Sequence, residues 1–302
     1  MNRPDPPGQL YDIGGYRLHL QKQGQGRPAA VLDTGLGGNS LVWANALPAV
    51  ARVTEACTFD RAGSGWSDPA PDGQRRTSQQ MVEELRRLLK AAGLQPPYVL
   101  VGHSSGAIHT LVFAKRYPAE VAGLVLVEPS HPDMFKRAAQ VPGARPMSLM
   151  YGGLAGLRRL GLLRWVGPAF LRAVIPNGAR TLPAAAWNSL QYFAAQGQDY
   201  RSASREAAVA DESFTDAHCE PGGLGALPLV VLTAEWWVSG KPNSMKKTFY
   251  PLRQEMAAFS TAGWHEIVSG TDHTNLPIVR PEAVAQAVKA VIELSTATPR
   301  AI

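Results

Sequence analysis

The sequence predicts an α/β fold, an open and mostly parallel sheet wrapped by helices on both faces. Three observations predict it. Apolar runs of strand length alternate with helix-like segments up to residue 130 and again after residue 222, the rhythm of successive strand–helix units. Two of those runs, Ala29–Asp33 and Val121–Val127, are almost continuously apolar, as parallel strands covered on both faces are. Between a strand-like run at 98–101 and a helix-like stretch reaching Tyr117 stands Gly102-His103-Ser104-Ser105-Gly106. That is Gly-x-Ser-x-Gly in strand-to-helix context, the setting of a nucleophile elbow.

Taken in order, residues 9–13 and 16–21 flank Gly14-Gly15 and read as a hairpin. Ala29–Asp33 is a buried strand, followed by the glycine-rich Thr34-Gly35-Leu36-Gly37-Gly38. A helix is expected at about 43–51 and a strand at 53–60, running into Asp60-Arg61-Ala62-Gly63-Ser64-Gly65. That loop lacks the Gly-Lys-Ser/Thr ending of a phosphate cradle and reads as a turn supporting the site. Met81, Val82, Leu85, Leu88 and Leu89 place a helix at 79–92. From 131 to 222 the rhythm changes: prolines at 142, 146, 168, 176 and 183 interrupt a Leu-, Gly- and Arg-rich stretch with no β-rich run. This predicts a helical lid inserted after the sixth strand. Strand character returns at 227–233, then a helix at 248–260, a short strand at 266–268 and a last helix from Pro281 to about 295. Pro281 suits a first helical position. The expected domains are a core of 1–130 and 223–302 and a lid of 131–222.

The bulk numbers narrow the function. A chain of 302 residues, 45% apolar and 18% charged, can bury one large α/β core. It has no apolar run of about 18 residues, so no membrane insertion is expected. The polar, proline-rich start lacks the apolar stretch of a signal peptide, which makes cytoplasmic the expected location. Of two cysteines, Cys57 lies in a predicted strand and is expected to pack as a small hydrophobe. No His, Cys, Asp or Glu cluster has metal-ligand spacing, and no metal is expected. The net charge of +6 comes without a long basic block or a nucleic-acid reader motif, which argues against a nucleic-acid partner. The charge is uneven, however: residues 132–182 hold eight Lys or Arg and one acid, Asp133. This reads as a solvated lid face, or as a means of attracting an acidic substrate or a membrane surface.

Acyl transfer by serine needs an activated hydroxyl, a base oriented by an acid, and donors for the developing oxyanion. Ser104 is the candidate nucleophile. The base should come last in chain order, between the last strand and the last helix, where Asp272-His273 lies. His273 is therefore the candidate base, and His19, His103, His109, His131, His218 and His265 read as structural. The acid should leave a strand end. Glu128 and Glu235 both do, and Asp272, Asp211 and Asp216 are weaker alternatives. The oxyanion donors expected are the backbone N–H groups of Leu36 and of Ser105, the latter at a helix N-terminus. Gly35, His103 and Trp237 are the expected substrate contacts.

Together, Thr34-Gly35-Leu36-Gly37, the run from Asp60 to Ser67, Gly102-His103-Ser104-Ser105-Gly106 and Asp272-His273 resemble the α/β-hydrolase fold superfamily in its lidded branch. The resemblance covers nearly the whole chain outside the lid. It implies a mainly parallel eight-stranded sheet and no cofactor. Members commonly carry His-Gly where this chain has Thr34-Gly35, a change that leaves the Leu36 backbone donor intact. Those with the acid after the seventh strand usually place Asp where this chain has Trp237, which shifts weight to Glu128. A serine at 104 also sets the chain apart from the haloalkane dehalogenases and epoxide hydrolases of this fold, which use aspartate.

The function expected is a serine hydrolase, carboxylesterase-like, acting on small-molecule esters or lactones with an apolar acyl part. Hydrolysis of amides, peptides or C–C bonds by the same residues is the alternative, and a non-catalytic binding protein of the same fold is the third reading. Nothing in the sequence assigns an oligomeric state.

Overall fold

Eight strands form one sheet: β1 (Gln9–Asp12), β2 (Arg17–Gln23), β3 (Ala29–Asp33), β4 (Ala56–Phe59), β5 (Tyr98–His103), β6 (Val121–Val127), β7 (Leu229–Ala234) and β8 (Gly263–Val268). Their order is β1-β2-β4-β3-β5-β6-β7-β8. Strand β2 runs antiparallel to both neighbours, and every pairing from β4 to β8 is parallel. This computed structural model describes residues 2–138, 143–176, 178–237 and 244–297.

Every residue of β3, β5, β6 and β7 is buried, which requires cover on both faces of the sheet and explains why these strands read as unbroken apolar runs. The cover is helical. Helix α1 (Ala46–Ala51) packs against α13 (Pro281–Ala297), which lies on β5, β6 and β7; α2 (Ser78–Ala91) packs against α3 (Gly106–Arg116), which lies on β3, β5 and β6. The Thr77 hydroxyl caps α2 by accepting from Gln80 N–H at 3.3 Å, and the helix turns Met81, Val82, Leu85, Leu88 and Leu89 inward.

Some boundaries differ from the expectation for local reasons. The helix expected at 43–51 is a short 3₁₀ turn, Ser40–Trp43, and then α1. The Asn39 side chain starts that turn by accepting from Leu41 N–H. Strand β4 starts at Ala56 rather than 53, because Val53 and Thr54 N–H both bond back to the Val50 carbonyl and finish the helix end. Strand β8 begins three residues earlier than expected, paired along β7 from Gly263.

Between β6 and β7 the chain forms α4 (Met134–Arg137), α5 (Ala144–Gly156), α6 (Leu163–Val174), α7 (Gly178–Thr181), α8 (Ala184–Gln196), α9 (Gln198–Ala207) and α10 (Ala210–Ala217), with no strand among the described residues. The insertion has little core of its own. Leu163, Ala194 and Tyr200 make one small cluster. A second, around Trp187, Leu190 and Phe193, is completed by Leu41, Trp66 and Ile278 from outside the insertion. After β7 come α11 (Ser244–Ala257), β8, α12 (Leu276–Val279) and α13. Cys57 and Cys219 are both free and buried.

Candidate active site

Strand β5 delivers Ser104 at its C-terminal end, in left-handed backbone with φ 53°. The turn is held by Ser104 N–H donating to Val127 O at 3.1 Å and by Ser130 N–H donating to Ser104 O at 3.0 Å. The sharp exit of α3 needs bare glycine: a Cβ on Gly106 would stand 2.7 Å from the Asp33 carbonyl oxygen. A Cβ on Gly35 would stand 3.0 Å from that of Ser104, so Gly35 lets the β3 loop close over the serine.

Three side chains form a line. Ser104 Oγ lies 3.2 Å from Nε2 of His273, and Nδ1 of His273 lies 2.9 Å from Oε2 of Glu128. Glu128 is fully buried and, at φ 50°, shares with Ser104 the distinction of positive φ without being glycine, among the described residues. Such backbone costs about 1–3 kcal/mol per residue and persists only where its surroundings enforce it. Ala234 N–H donates to Oε1 of Glu128, and Nη2 of the buried Arg253 sits 3.1 Å from its Oε2. Burial alone would push the Glu128 carboxyl up. The Arg253 charge and the bond from His273 outweigh it and hold the group below the usual carboxylate range.

The other expected acids stand elsewhere. Glu235 accepts from Gly270 N–H at 3.0 Å and ties down the loop that leads to His273. The Asp272 carboxylate accepts from the backbone of Thr274 and Asn275 at 3.1 and 3.0 Å. Asp211 and Asp216 lie on α10.

His103, expected as a substrate contact, is buried and bonded through Nε2 to the His273 carbonyl at 2.9 Å. Burial, reinforced by the charge of His273, pushes its pKa down to about 4, so it is neutral and donates that bond. His19 and His109 each bond a buried aspartate, Asp60 at 2.9 Å and Asp33 at 2.8 Å. His265 bonds Thr233 Oγ1, His131 accepts from Asp133 N–H, and His218 meets Asp133 and Glu220. The side chain of Trp237 lies outside the described residues.

Two cavities, about 250 and 310 Å³, meet at Leu36, Ser104, Met147 and His273. Ser105 lines the first and Gly35 and His103 the second. The first runs between Met81, Ile108, Met134, Phe135, Phe214 and Phe249 and is almost wholly apolar, with Arg253 on its wall. The second carries polar groups from Asn39, Tyr151, Asp199, Tyr200 and Thr274 beside the apolar Phe170. The apolar residues of the insertion divide three ways. Met147, Tyr151 and Phe170 line a cavity, Trp187 and Phe193 are core of the insertion, and Leu149, Met150 and Trp165 face outward.

Sequence reasoning missed Arg253 and the charges around Arg61. Arg61 is buried, donating to Asp33 at 2.6 Å and to Glu206 of α9 at 3.1 Å. Asp199 is also buried, accepting from Gly65 N–H at 2.8 Å and from the Asn39 amide at 3.0 Å. A signal for Arg253 existed: it sits four residues after Phe249 and three before Met256, on the face that α11 buries.

The comparisons agree with this architecture. The chain is 36% identical over 123 residues to YqjL, an uncharacterised protein of Bacillus subtilis, covering 40% of this chain and 48% of that one. The chain spans less than half the length of the curated relatives it matches. Among solved structures, a thermophilic esterase from Thermogutta terrifontis superposes with a TM-score of 0.66 at 19% identity, over 93% of this chain and 94% of that one. The epoxide hydrolase CorEH superposes at 0.71, also 19% identical, over 94% and 98%. At that identity the likeness is one of fold. Residues 31–201, from β3 through the elbow and well into the helical insertion, match the alpha/beta hydrolase fold family itself, and on that match the chain belongs to the alpha/beta hydrolase family.

Proposed function

We propose that the protein is a serine hydrolase that cleaves carboxylic esters or lactones with an apolar acyl part, through an acyl-enzyme on Ser104. The observation that carries this reading is the line Ser104–His273–Glu128, set where two cavities meet. In this reading Nε2 of His273 takes the Ser104 proton as Oγ attacks the carbonyl carbon. Glu128 fixes the tautomer with Nε2 unprotonated and stabilises the imidazolium that forms. The N–H groups of Leu36 and Ser105, fixed before the reaction, receive the oxyanion. As the tetrahedral centre collapses, the alcohol leaves with the proton from Nε2. Water then repeats the sequence at the acyl carbonyl and releases the acid, returning the proton to Ser104.

Residues 131–222 act as the lid, roofing both cavities with Met147 and the second with Tyr151 and Phe170. Cavities of this size favour short to medium acyl chains over long ones. A serine at the nucleophile position separates this chemistry from that of the epoxide hydrolase that shares the fold, since an alkoxide suits acyl transfer.

The test is turnover of p-nitrophenyl esters from acetate to laurate by wild type, Ser104→Ala, Glu128→Gln and Glu235→Gln. Ser104→Ala is expected to lose roughly 10⁶-fold in kcat and Glu128→Gln roughly 10⁴-fold, with Glu235→Gln close to wild type. Glu235→Gln as the more damaging change would reassign the acid. Labelling of Ser104 by a fluorophosphonate without ester turnover would move the reading to amide or C–C bonds. Neither label nor turnover would leave a binding protein.

A further inference from the structure

The two helices that roof the second cavity turn a different face to solvent. Among the described residues ten large hydrophobic side chains are exposed, and seven lie on or between α5 and α6: Leu149, Met150, Leu160, Leu162, Trp165, Val166 and Val174. Three of them, Leu149, Leu160 and Trp165, are 68–71% exposed, so they contribute to no core. Single exposed hydrophobes are ordinary, but a cluster rimmed by polar groups marks an interaction surface.

Its charge identifies the occupant. Residues 134–198 contain eight Lys or Arg and no Asp or Glu. Arg145, Arg158, Arg159, Arg164 and Arg172 are exposed around the apolar side chains, with the Arg164 guanidinium 5.6 Å from the Trp165 ring centroid. Six other surface arginines are matched to carboxylates: Arg17 with Asp68, Arg52 with Glu282, Arg75 with Glu212, Arg86 with Glu120, Arg116 with Glu83 and Arg137 with Glu255. The five on this face have no such ion pair among the described residues. A second copy of the chain would bring two unmatched cationic faces together, which electrostatics opposes.

We propose that the exposed face of α5, α6 and their connection is a peripheral docking surface for an anionic lipid bilayer. Trp165, Leu160, Leu162 and Leu149 enter the headgroup boundary, and the arginines stay at the level of the lipid charges, the arrangement of an interfacial amphipathic helix. No described helix is long and apolar enough to cross a bilayer. Docking of this kind sets the roof of the cavity against a lipid surface. It does not depend on which bond Ser104 attacks.

The experiment is flotation of the purified protein with vesicles of phosphatidylcholine alone and of phosphatidylcholine with roughly 30 mol% phosphatidylglycerol. Binding to the anionic vesicles alone, weakening as salt is raised, is expected. Each arginine near such a surface is worth about fivefold in affinity, so Arg158→Ser with Arg159→Ser should weaken binding about twentyfold or more. Leu160→Ser with Trp165→Ser should weaken it comparably while leaving the salt dependence in place. Arg86→Ser with Arg116→Ser, on another face, should leave it unchanged. All variants should keep wild-type circular dichroism and melting, because none of these side chains is buried. Equal or absent binding to the two vesicle types would overturn the proposal. So would self-association in sedimentation that Trp165→Ser abolishes while vesicles go unbound, because the face would then be a dimer interface.

Discussion

Arg253 is the residue that sets this site apart electrostatically. Its guanidinium is out of contact with water and stands 3.1 Å from the carboxylate that His273 also bonds. A buried ion pair returns little net stability, but removing one partner strands the other, at a cost of about 3–5 kcal/mol. Arg253→Met should therefore destabilise the fold on that scale in urea unfolding. It should also move the acid limb of the kcat/KM profile to higher pH. The sign follows from Glu128. With the cation present its carboxyl is held below the usual range, so its contribution to stability is in place above the ordinary carboxylate pKa and is lost as pH falls through the lower, folded one. Without the cation, burial pushes the carboxyl up, and the orienting negative charge fades at a higher pH. Arg253→Lys keeps a cation and should keep most of the acid limb. A profile unmoved by Arg253→Met would mean that the arginine only packs.

At the level of elements, what the sequence made legible is what local pattern determines. Strands β3 and β6 were read to the residue because burial on both faces leaves an unbroken apolar run with sharp ends. The start of β4 was misread because Val53 and Thr54 are both β-branched yet spend their N–H groups on closing α1, which composition does not register. The choice between Glu128 and Glu235 stayed open for a similar reason. Both follow a strand, and what separates them is the positive φ at Glu128 and the Gly270 N–H bonded to Glu235, neither of which is local pattern. The elbow was legible because its geometry excludes almost every residue except glycine. Gly106→Ala places a Cβ 2.7 Å from Asp33 O and 2.8 Å from Thr34 O, so backbone must move, at about 1–3 kcal/mol. The displaced segment leads into Gly35 and Leu36, so turnover should fall more than stability does. Gly153→Ala, on α5 with open space around it, should instead stabilise by about 0.5–1 kcal/mol. Urea unfolding and ester turnover of the two variants check the contrast, and equal loss of activity in both would count against the elbow argument.

At the scale of the molecule, the question is how the helical insertion stays on the sheet domain. Its larger apolar cluster is finished by Leu41, Trp66 and Ile278 from outside it, so it cannot bury its own surface alone. Polar ties supplement that contact. Arg61 reaches from the turn after β4 to Glu206 of α9, while Asp33, itself bonded by His109 at 2.8 Å, holds the Arg61 end within the sheet part. Asp33, Arg61 and His109 belong to the sheet part and Glu206 to the insertion, so one substitution removes the Arg61–Glu206 ion pair that crosses between them. Glu206→Leu removes the partner contributed by the insertion and leaves the Arg61–Asp33 pair whole. The sheet, whose core closes without α9, should then keep its unfolding transition to within a few degrees. The insertion should open locally at much lower cost, as regions with few buried contacts do. Limited proteolysis is the sensitive measurement: cleavage is expected to quicken within residues 143–217, with the sheet segments on either side of the insertion surviving as two resistant fragments. Turnover should fall in step, since the same helices carry Met147, Tyr151 and Phe170 over the cavities. Uniform acceleration of cleavage across the chain would instead mean that Arg61, Asp33 and Glu206 stabilise one cooperative unit, and that the insertion and the sheet unfold together.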